Sequence, residues 1–339
     1  MATLFRARIL VIGAGVMGLA SALALRARGG AVEVWDPSFG SNSASAVAAG
    51  MVSPAFEAAL EEATAERAEL YRRGAELWPA FSERHALGFV QDGAEWRGPV
   101  EPMGNRLRAL GFPAEETAEG LLVASEGRLH AAAALRSMAD ALGVKPVRAE
   151  RVAVGGLVEA AGRRERFDAV VLAAGWSAAG MEVEGAPELS LIFPIKGQLA
   201  VLGEDALPFV PRTIRGPGVY LTPQDRSVVV GATMETGRSD LCIDEAAIGA
   251  LLAGAARVAP GLQGLAPVST RAGVRGATPD GLPMVGASSA PGVFLALAPR
   301  RNGWLLAPLA AEVLAGAIAG EDPSLEARAF DPQRFLSPG

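Results

Sequence analysis

Cysteine is almost absent from this chain: one residue in 339, Cys242, so no disulfide can close within it. Such usage fits a reducing compartment, and the residue itself reads as a buried small hydrophobe. Histidine and tyrosine are nearly as scarce, with two of each, and no metal-ligating pattern is read from the sequence. Positive charge is in deficit: 31 Lys and Arg stand against 37 Asp and Glu, a net charge of -6. That excludes the basic footprint of a nucleic-acid partner. No stretch is long and apolar enough to span a bilayer. Arginines ahead of an apolar run near the start have the look of a secretion leader. Three glycines interrupt that run and an acid-ended strand follows it, which favours a nucleotide fold. The expected location is the cytoplasm, with no membrane partner. Half of the residues are hydrophobic, enough to fill a core divided between about two domains.

What the chain does have begins at once. The apolar run Ile9–Ile12 leads into Gly13-Ala14-Gly15-Val16-Met17-Gly18, then an Ala/Leu-rich helical stretch, then a second apolar run ending at Trp35-Asp36. This is the strand–turn–helix–strand pattern of a dinucleotide site. Gly13 permits a tight turn, Gly15 lets backbone approach a pyrophosphate, and Gly18 lets helix pack on strand. The helix N-terminus offers unpaired N–H groups to the phosphates. Asp36 closes the second strand, where a carboxylate can accept both hydroxyls of an adenosine ribose.

Residues 38–54 are rich in small residues and read either as a flexible loop or as a close approach to a flat ligand, with Ser43 and Ser45 free to bond phosphate. Helical spacing of Phe56, Leu60, Leu70, Leu77 and Phe81 predicts helix over 55–84. Residues 88–128 are irregular, a helix is expected over 130–142, and short strands over 151–154 and 156–159. The run from Phe167 is wholly apolar and ends in Ala174 and Gly175, as a strand of a parallel sheet covered on both faces does. Strands with polar breaks over 193–202, 219–222 and 227–230 predict an antiparallel sheet, and a helix follows over 244–259. Lys196 reads either as a structural charge or as a group touching a ligand. Residues 270–283, with Arg271, Arg275 and several Gly and Pro, read as a loop. A strand over 292–298 runs into Pro299-Arg300-Arg301-Asn302-Gly303-Trp304, and an apolar helix follows over 305–319.

In their order, the GAGVMG turn with Asp36, the SASAVAAGM segment, PIKGQLAVL, VYLTP, VVVGATME, RAGVRGATPDGLPMVG and RRNGWLLAP resemble the FAD-dependent D-amino-acid oxidase superfamily. Within it the likeness is to the glycine oxidase branch, tied to thiamine biosynthesis. The resemblance covers nearly the whole chain and is weakest over 88–128. It implies an α/β fold: a Rossmann-like FAD-binding domain (1–87, 145–182 and 268–339) interleaved with an α+β substrate domain on an antiparallel sheet (88–144 and 183–267). It implies FAD contacts at Val16, Met17, Asp36, Pro37, Ala44, Ser45, Ala49, Gly50, Met51, Val152 and the run Pro299, Arg300, Arg301, Asn302, Gly303, Trp304 and Leu305. Ala174 and Gly175 join Gly13, Gly15 and Gly18 as further cofactor candidates. Tyr220 and Arg275 match the pair that holds a substrate carboxylate, Arg301 lines the substrate side, and Met234 walls the pocket.

The implied reaction is oxidative deamination of glycine or another small amino acid by hydride transfer to the flavin. Imine or keto acid, ammonia and hydrogen peroxide result, with molecular oxygen as acceptor. The flavin carries the chemistry, and an arginine suits the carboxylate because its planar guanidinium grips two oxygens and stays charged. No side-chain base is needed, which agrees with His85 and His130 lying outside the motifs. The family also implies a homo-oligomer. One departure stands out: where these oxidases commonly carry Gly-His ahead of the Arg-Asn-Gly run, this chain has Ala298-Pro299-Arg300. It leaves open a related amino-acid or amine dehydrogenase using another acceptor. A non-catalytic NAD-binding protein would need neither the arginine stretch nor the RRNG helix.

Overall fold

β-Branched residues in the run RILVI form the strand Arg8–Ile12, which lies inside a five-stranded sheet. The computed structural model describes residue 4 and residues 6–39 and 43–336. The sheet's order is Met284–Ala287, Val293–Leu297, Ala169–Leu172, Arg8–Ile12, Ala31–Trp35. The last four strands run parallel, with Val11 between Val171 and Val34, and Met284–Ala287 joins antiparallel. Ile9–Ile12 and Ala169–Leu172 are buried throughout, the burial that unbroken apolar strands require. Helix Val16–Ala27 follows the glycine turn and packs against helix Gly303–Ile318. A smaller four-stranded sheet, Arg163–Arg166, Leu157–Ala160, Arg151–Ala153, Glu182–Val183, shares a core with the parallel one. There Trp35 and Phe167 meet edge to face at 5.7 Å. These elements make one of two units, Met1–Ala46, Ala132–Ile195 and Val274–Gly339.

The other unit, Val47–Ala131 and Lys196–Gly273, is built on a nine-stranded sheet. Its path runs Glu235–Thr236, Phe193–Leu202, Ser227–Gly231, Val219–Gln224, Thr213–Gly216, Ala94–Trp96, Gly120–Val123, Glu115–Thr117, with Pro267–Ala277 also on Phe193–Leu202. Phe193–Leu202, Ser227–Gly231 and Val219–Gln224 pair antiparallel, as strands with polar breaks predict, while Thr213–Gly216 and Ala94–Trp96 run parallel. Helix Glu245–Val258, N-capped by the Asp244 carboxylate, puts Ile248, Leu251, Ala255 and Val258 into a core with Leu221 and Val230. On a second core cluster, Val47, Ala49, Leu199, Val201 and Val229 gather Met51 and Tyr220.

The mixed parallel and antiparallel α/β fold agrees with the class read from the sequence. Local details differ. The helix expected over 55–84 is three helices, Pro54–Leu60, Ala65–Glu76 and Trp78–His85. Thr64 restarts the second by accepting from Arg67 N, and Pro79 sits at the start of the third. The first helix packs on the second and on Val100–Ala109, inside the sheet-bearing unit. The first unit's opening segment ends at Ala46 and the second unit begins at Val47. Residues 270–283 are not all loop: strand Pro267–Ala277 carries Arg271 and Arg275, because alternating small and charged residues suit a half-buried strand. Cys242 is exposed, contrary to its reading as a buried hydrophobe. Its backbone carbonyl is the anchored part, accepting from Lys196 Nζ, in a segment outside any helix or strand. Among the described residues no helix is long and apolar enough to cross a membrane.

Candidate functional site

In the first unit the candidate residues converge on two helix starts. Gly13 has φ +111°, and a Cβ there would lie 2.4 Å from the Ala173 carbonyl oxygen; one at Gly18 would lie 2.0 Å from the carbonyl oxygen of Gly13. Only glycine fits either position. Ala174 is part of the same crowding, its N 2.7 Å from a Gly13 Cβ, and Gly175 opens a turn of 3₁₀ helix with φ +59°. Asp36 comes directly after the second strand, Ala31–Trp35. One carboxylate oxygen accepts from Ala14 N at 2.8 Å and the other from Ser38 N at 2.8 Å. The carboxylate therefore ties the glycine turn to the strand end, with Pro37 in the turn that follows.

Residues 44–47 form a turn of helix, and 40–42 of the small-residue stretch lie outside the described residues. Neither serine proposed for phosphate is idle. Ser45 Oγ accepts from Val16 N at 3.0 Å, and Ser43 Oγ from Ala46 N at 3.2 Å. Trp304 Nε1 donates to the Ser45 carbonyl at 3.1 Å. Gly303 lies against Pro299 and Val16, at 3.3 and 3.5 Å from an added Cβ. Ser45 and its neighbours thus bring the starts of Val16–Ala27 and Gly303–Ile318 together. Neither helix has a side-chain cap or an acidic residue in its first turn. Neither positive helix end thus carries an acidic side chain of its own, while Asp36 accepts from Ala14 N just ahead of Val16–Ala27.

The arginine segments also meet in this unit. Arg300 N donates to the Gly276 carbonyl at 3.0 Å, which sets Arg275 beside the Pro299–Leu305 run. Arg275, Arg300 and Arg301 are half-buried, while Asn302, Trp304 and Leu305 are buried. Ala298 and Arg300 are left-handed, with φ +57° and +52°. Val152 stands apart, its side chain wholly inside the core shared by the two sheets.

In the second unit Ala49, Gly50 and Met51 lie with Tyr220. Gly50 has φ +75° and no room for a Cβ, which would sit 2.1 Å from the Leu129 carbonyl oxygen. Tyr220 faces Arg215 on one neighbouring strand and Gly231 on the other. Arg215 is a residue that sequence reasoning missed. It is 2 % exposed, donates to Glu57 Oε1 at 2.8 Å, and stands 5.9 Å from the centre of the Tyr220 ring. Its guanidinium also reaches Met51 Sδ at 3.7 Å. Glu126, equally buried, accepts from Ser53 Oγ, from Ala55 N at 2.9 Å and from Phe56 N at 3.3 Å. Burial pushes its carboxyl up to about 7, against the opposing pull of these donors and of Arg215.

Met234 is 37 % exposed, and its neighbours are clamped. Gln198 Nε2 and Thr233 Oγ1 both donate to Glu235 Oε1, at 2.6 and 2.7 Å. Lys196 is fully buried, its ammonium on Asp240 Oδ1 at 2.6 Å, which holds that carboxyl well below the usual range. This favours its reading as a structural charge. Among the described residues no group of His, Cys, Asp and Glu is placed to hold a metal ion.

Comparison with known proteins adds the following. The family model described as FAD dependent oxidoreductase matches residues 8–317. A glycine oxidase of Pseudomonas putida is 27% identical over 369 residues, covering 97% of this chain and 99% of that protein. One of Pseudomonas aeruginosa is 34% identical over 170 residues, covering 49% of this chain and 46% of that protein. The crystal structure of glycine oxidase from Geobacillus kaustophilus superposes with a TM-score of 0.82 at 23% identity, over 99% of this chain and all of that one.

Proposed function

The chain belongs to the FAD dependent oxidoreductase family, and on that premise we propose that it oxidises glycine or another small amino acid or amine, passing the electrons to molecular oxygen. FAD fits the residues present. The glycine turn leaves no space for side chains at Gly13 and Gly18, and neither converging helix carries an acidic residue in its first turn. Bound FAD supplies the two-electron acceptance that amine oxidation needs. The protein's own part is orientation and charge. The N–H groups that open Val16–Ala27 would hold the pyrophosphate, and Asp36 the ribose. The start of Gly303–Ile318 would present its positive end to the ring system.

The observation that supports the substrate class is the Arg300 N to Gly276 O bond, which joins the backbone segments that carry the half-buried Arg275 and Arg301 within one unit. Arg275 is proposed as the guanidinium that takes the substrate carboxylate bidentately. Tyr220 is proposed as a substrate-binding hydroxyl, Arg301 as a second cation on the substrate side, and Met234 as an apolar wall. Holding the amino group next to fixed cations favours its neutral form, the one able to release a hydride from the neighbouring carbon.

The test is anaerobic addition of glycine, sarcosine and D-alanine to the FAD-loaded protein while its visible flavin absorption is followed. Bleaching that reverses in air with release of peroxide is the expected result. Bleaching that air does not reverse would replace oxygen by another acceptor, and no bleaching with any of the three would overturn the substrate class. Arg275→Lys should raise KM on the order of a hundredfold while FAD content stays level, since an ammonium cannot reproduce the two-pronged grip.

A further inference from the structure

The register of the second unit's sheet puts three residues in line: Arg215, Tyr220 and Gly231 are partners on adjacent antiparallel strands. Directly opposed residues share a face, so the side chains on either side of Tyr220 fix where its ring can go. On one side, a Cβ at Gly231 would sit 2.3 Å from the Tyr220 hydroxyl oxygen and 2.4 Å from the ring carbon that bears it. The ring therefore lies across the bare backbone of Gly231. On the other side, the Arg215 guanidinium stands 5.9 Å from the ring centre. That guanidinium has little freedom, because it is buried and paired to Glu57, itself 5 % exposed. A cation facing an aromatic ring in a dry setting attracts it, and the buried carboxylate keeps the cation in place.

We propose that Arg215, anchored by Glu57, and Gly231 are positioning residues that hold the Tyr220 ring from its two sides and so set the location of its hydroxyl for the substrate carboxylate. The part about the carboxylate rests on the substrate reading given above; the part about the ring does not. Neither residue need touch substrate. Arg215 acts through the ring plane, and Gly231 acts by lacking a side chain.

Two variants probe the two sides. Gly231→Ala leaves the charges alone and pushes the hydroxyl. Arg215→Met combined with Glu57→Met removes both charges, so that neither is left buried alone. The chain has only two tyrosines, so 3-fluorotyrosine-labelled holoenzyme should give two ¹⁹F environments, assigned with Tyr220→Phe. The Tyr220 resonance should move or split in both variants; an unmoved Tyr220 resonance in either folded variant overturns the proposal for that side, whatever the substrate is. In steady-state assays each variant should raise KM for the amino acid roughly tenfold with kcat and FAD content nearly level. In a Tyr220→Phe background the same changes should shift KM less than about twofold, because their effect runs through the missing hydroxyl. Equal effects in both backgrounds would make the two residues merely structural. A Tyr220→Phe variant whose KM is unchanged would instead sink the carboxylate role of Tyr220, leaving the ¹⁹F result to decide the positioning.

Discussion

The two units solve the same problem, holding functional groups still, with different materials. In the first, the candidate residues act through backbone: Gly13, Gly18 and Gly303 bring main chain close, and N–H groups of Ala14 and Val16 reach Asp36 and Ser45. In the second, the groups around Tyr220 and Met51 are set by buried charge, Arg215 with Glu57 and, close by, Glu126. Backbone devices need a short contiguous motif. Buried charges need partners that arrive from far along the chain, and they tie stability to protonation. The difference teaches where each unit is vulnerable: the first to an added methyl group, the second to a lost or gained charge.

Glu57→Gln is the strongest way to break that contrast. It leaves Arg215 charged, 2 % exposed and without its carboxylate. Removing one member of a buried pair costs about 3–5 kcal/mol, and urea unfolding of the FAD-loaded variant should register a loss of that size. A loss below about 1 kcal/mol, the range of exposed pairs, would mean that the second unit does not depend on the pair.

Glu126→Gln sharpens the same point through pH. The folded-state pKa of Glu126, about 7, lies above the ordinary 4.5. The folded protein therefore holds a proton that the unfolded chain releases, and stability falls as pH rises from about 4.5 to about 7. The penalty is absent below that window and complete above it, on the order of 3 kcal/mol at 1.36 kcal/mol per pK unit. Glutamine keeps an oxygen for Ala55 N and Phe56 N and cannot ionise. Relative to the native protein, the variant should gain stability steadily across that window; parallel stability–pH curves would exclude Glu126 as the titrating group.

The contrast also explains how much was legible in sequence. The glycine turn and the arginine–glycine run before helix Gly303–Ile318 are local signals, each a few adjacent residues, and Asp36 comes directly after the apolar strand that follows the turn. The parallel sheet was readable for the same reason, because unbroken apolar runs such as Ile9–Ile12 and Ala169–Leu172 have few other homes. Arg215 and Glu57 were not readable. One is an arginine in Thr-Ile-Arg-Gly, the other a lone acid in Pro-Ala-Phe-Glu-Ala-Ala-Leu, and both look like solvated charges until folding joins them across 158 positions. Glu126 hides likewise, just ahead of the short strand Gly127–Arg128, although it caps a helix start some 70 residues earlier. Cys242 misled for the opposite reason: composition assigns side chains, while the anchored group there is a carbonyl.

The smallest expected effect returns to the first unit. Ala298 is fully buried with φ +57°, a conformation in which its Cβ crowds the following carbonyl at a cost of about 1–2 kcal/mol. Glycine adopts that φ without penalty. Part of the gain in Ala298→Gly is offset by the wider freedom of the unfolded chain and by the lost methyl contact, so the net stabilisation should be about 1 kcal/mol. A rise in thermal midpoint of a few degrees would check it. Because Arg300 repeats the left-handed turn two residues later and bonds Gly276 through its N–H, relief at 298 should leave that bond, and with it the joining of the two arginine segments, in place. KM for the amino acid should therefore stay within about twofold of the native value. A variant that is more stable but binds substrate poorly would show instead that the crowded turn is what keeps the arginines aligned.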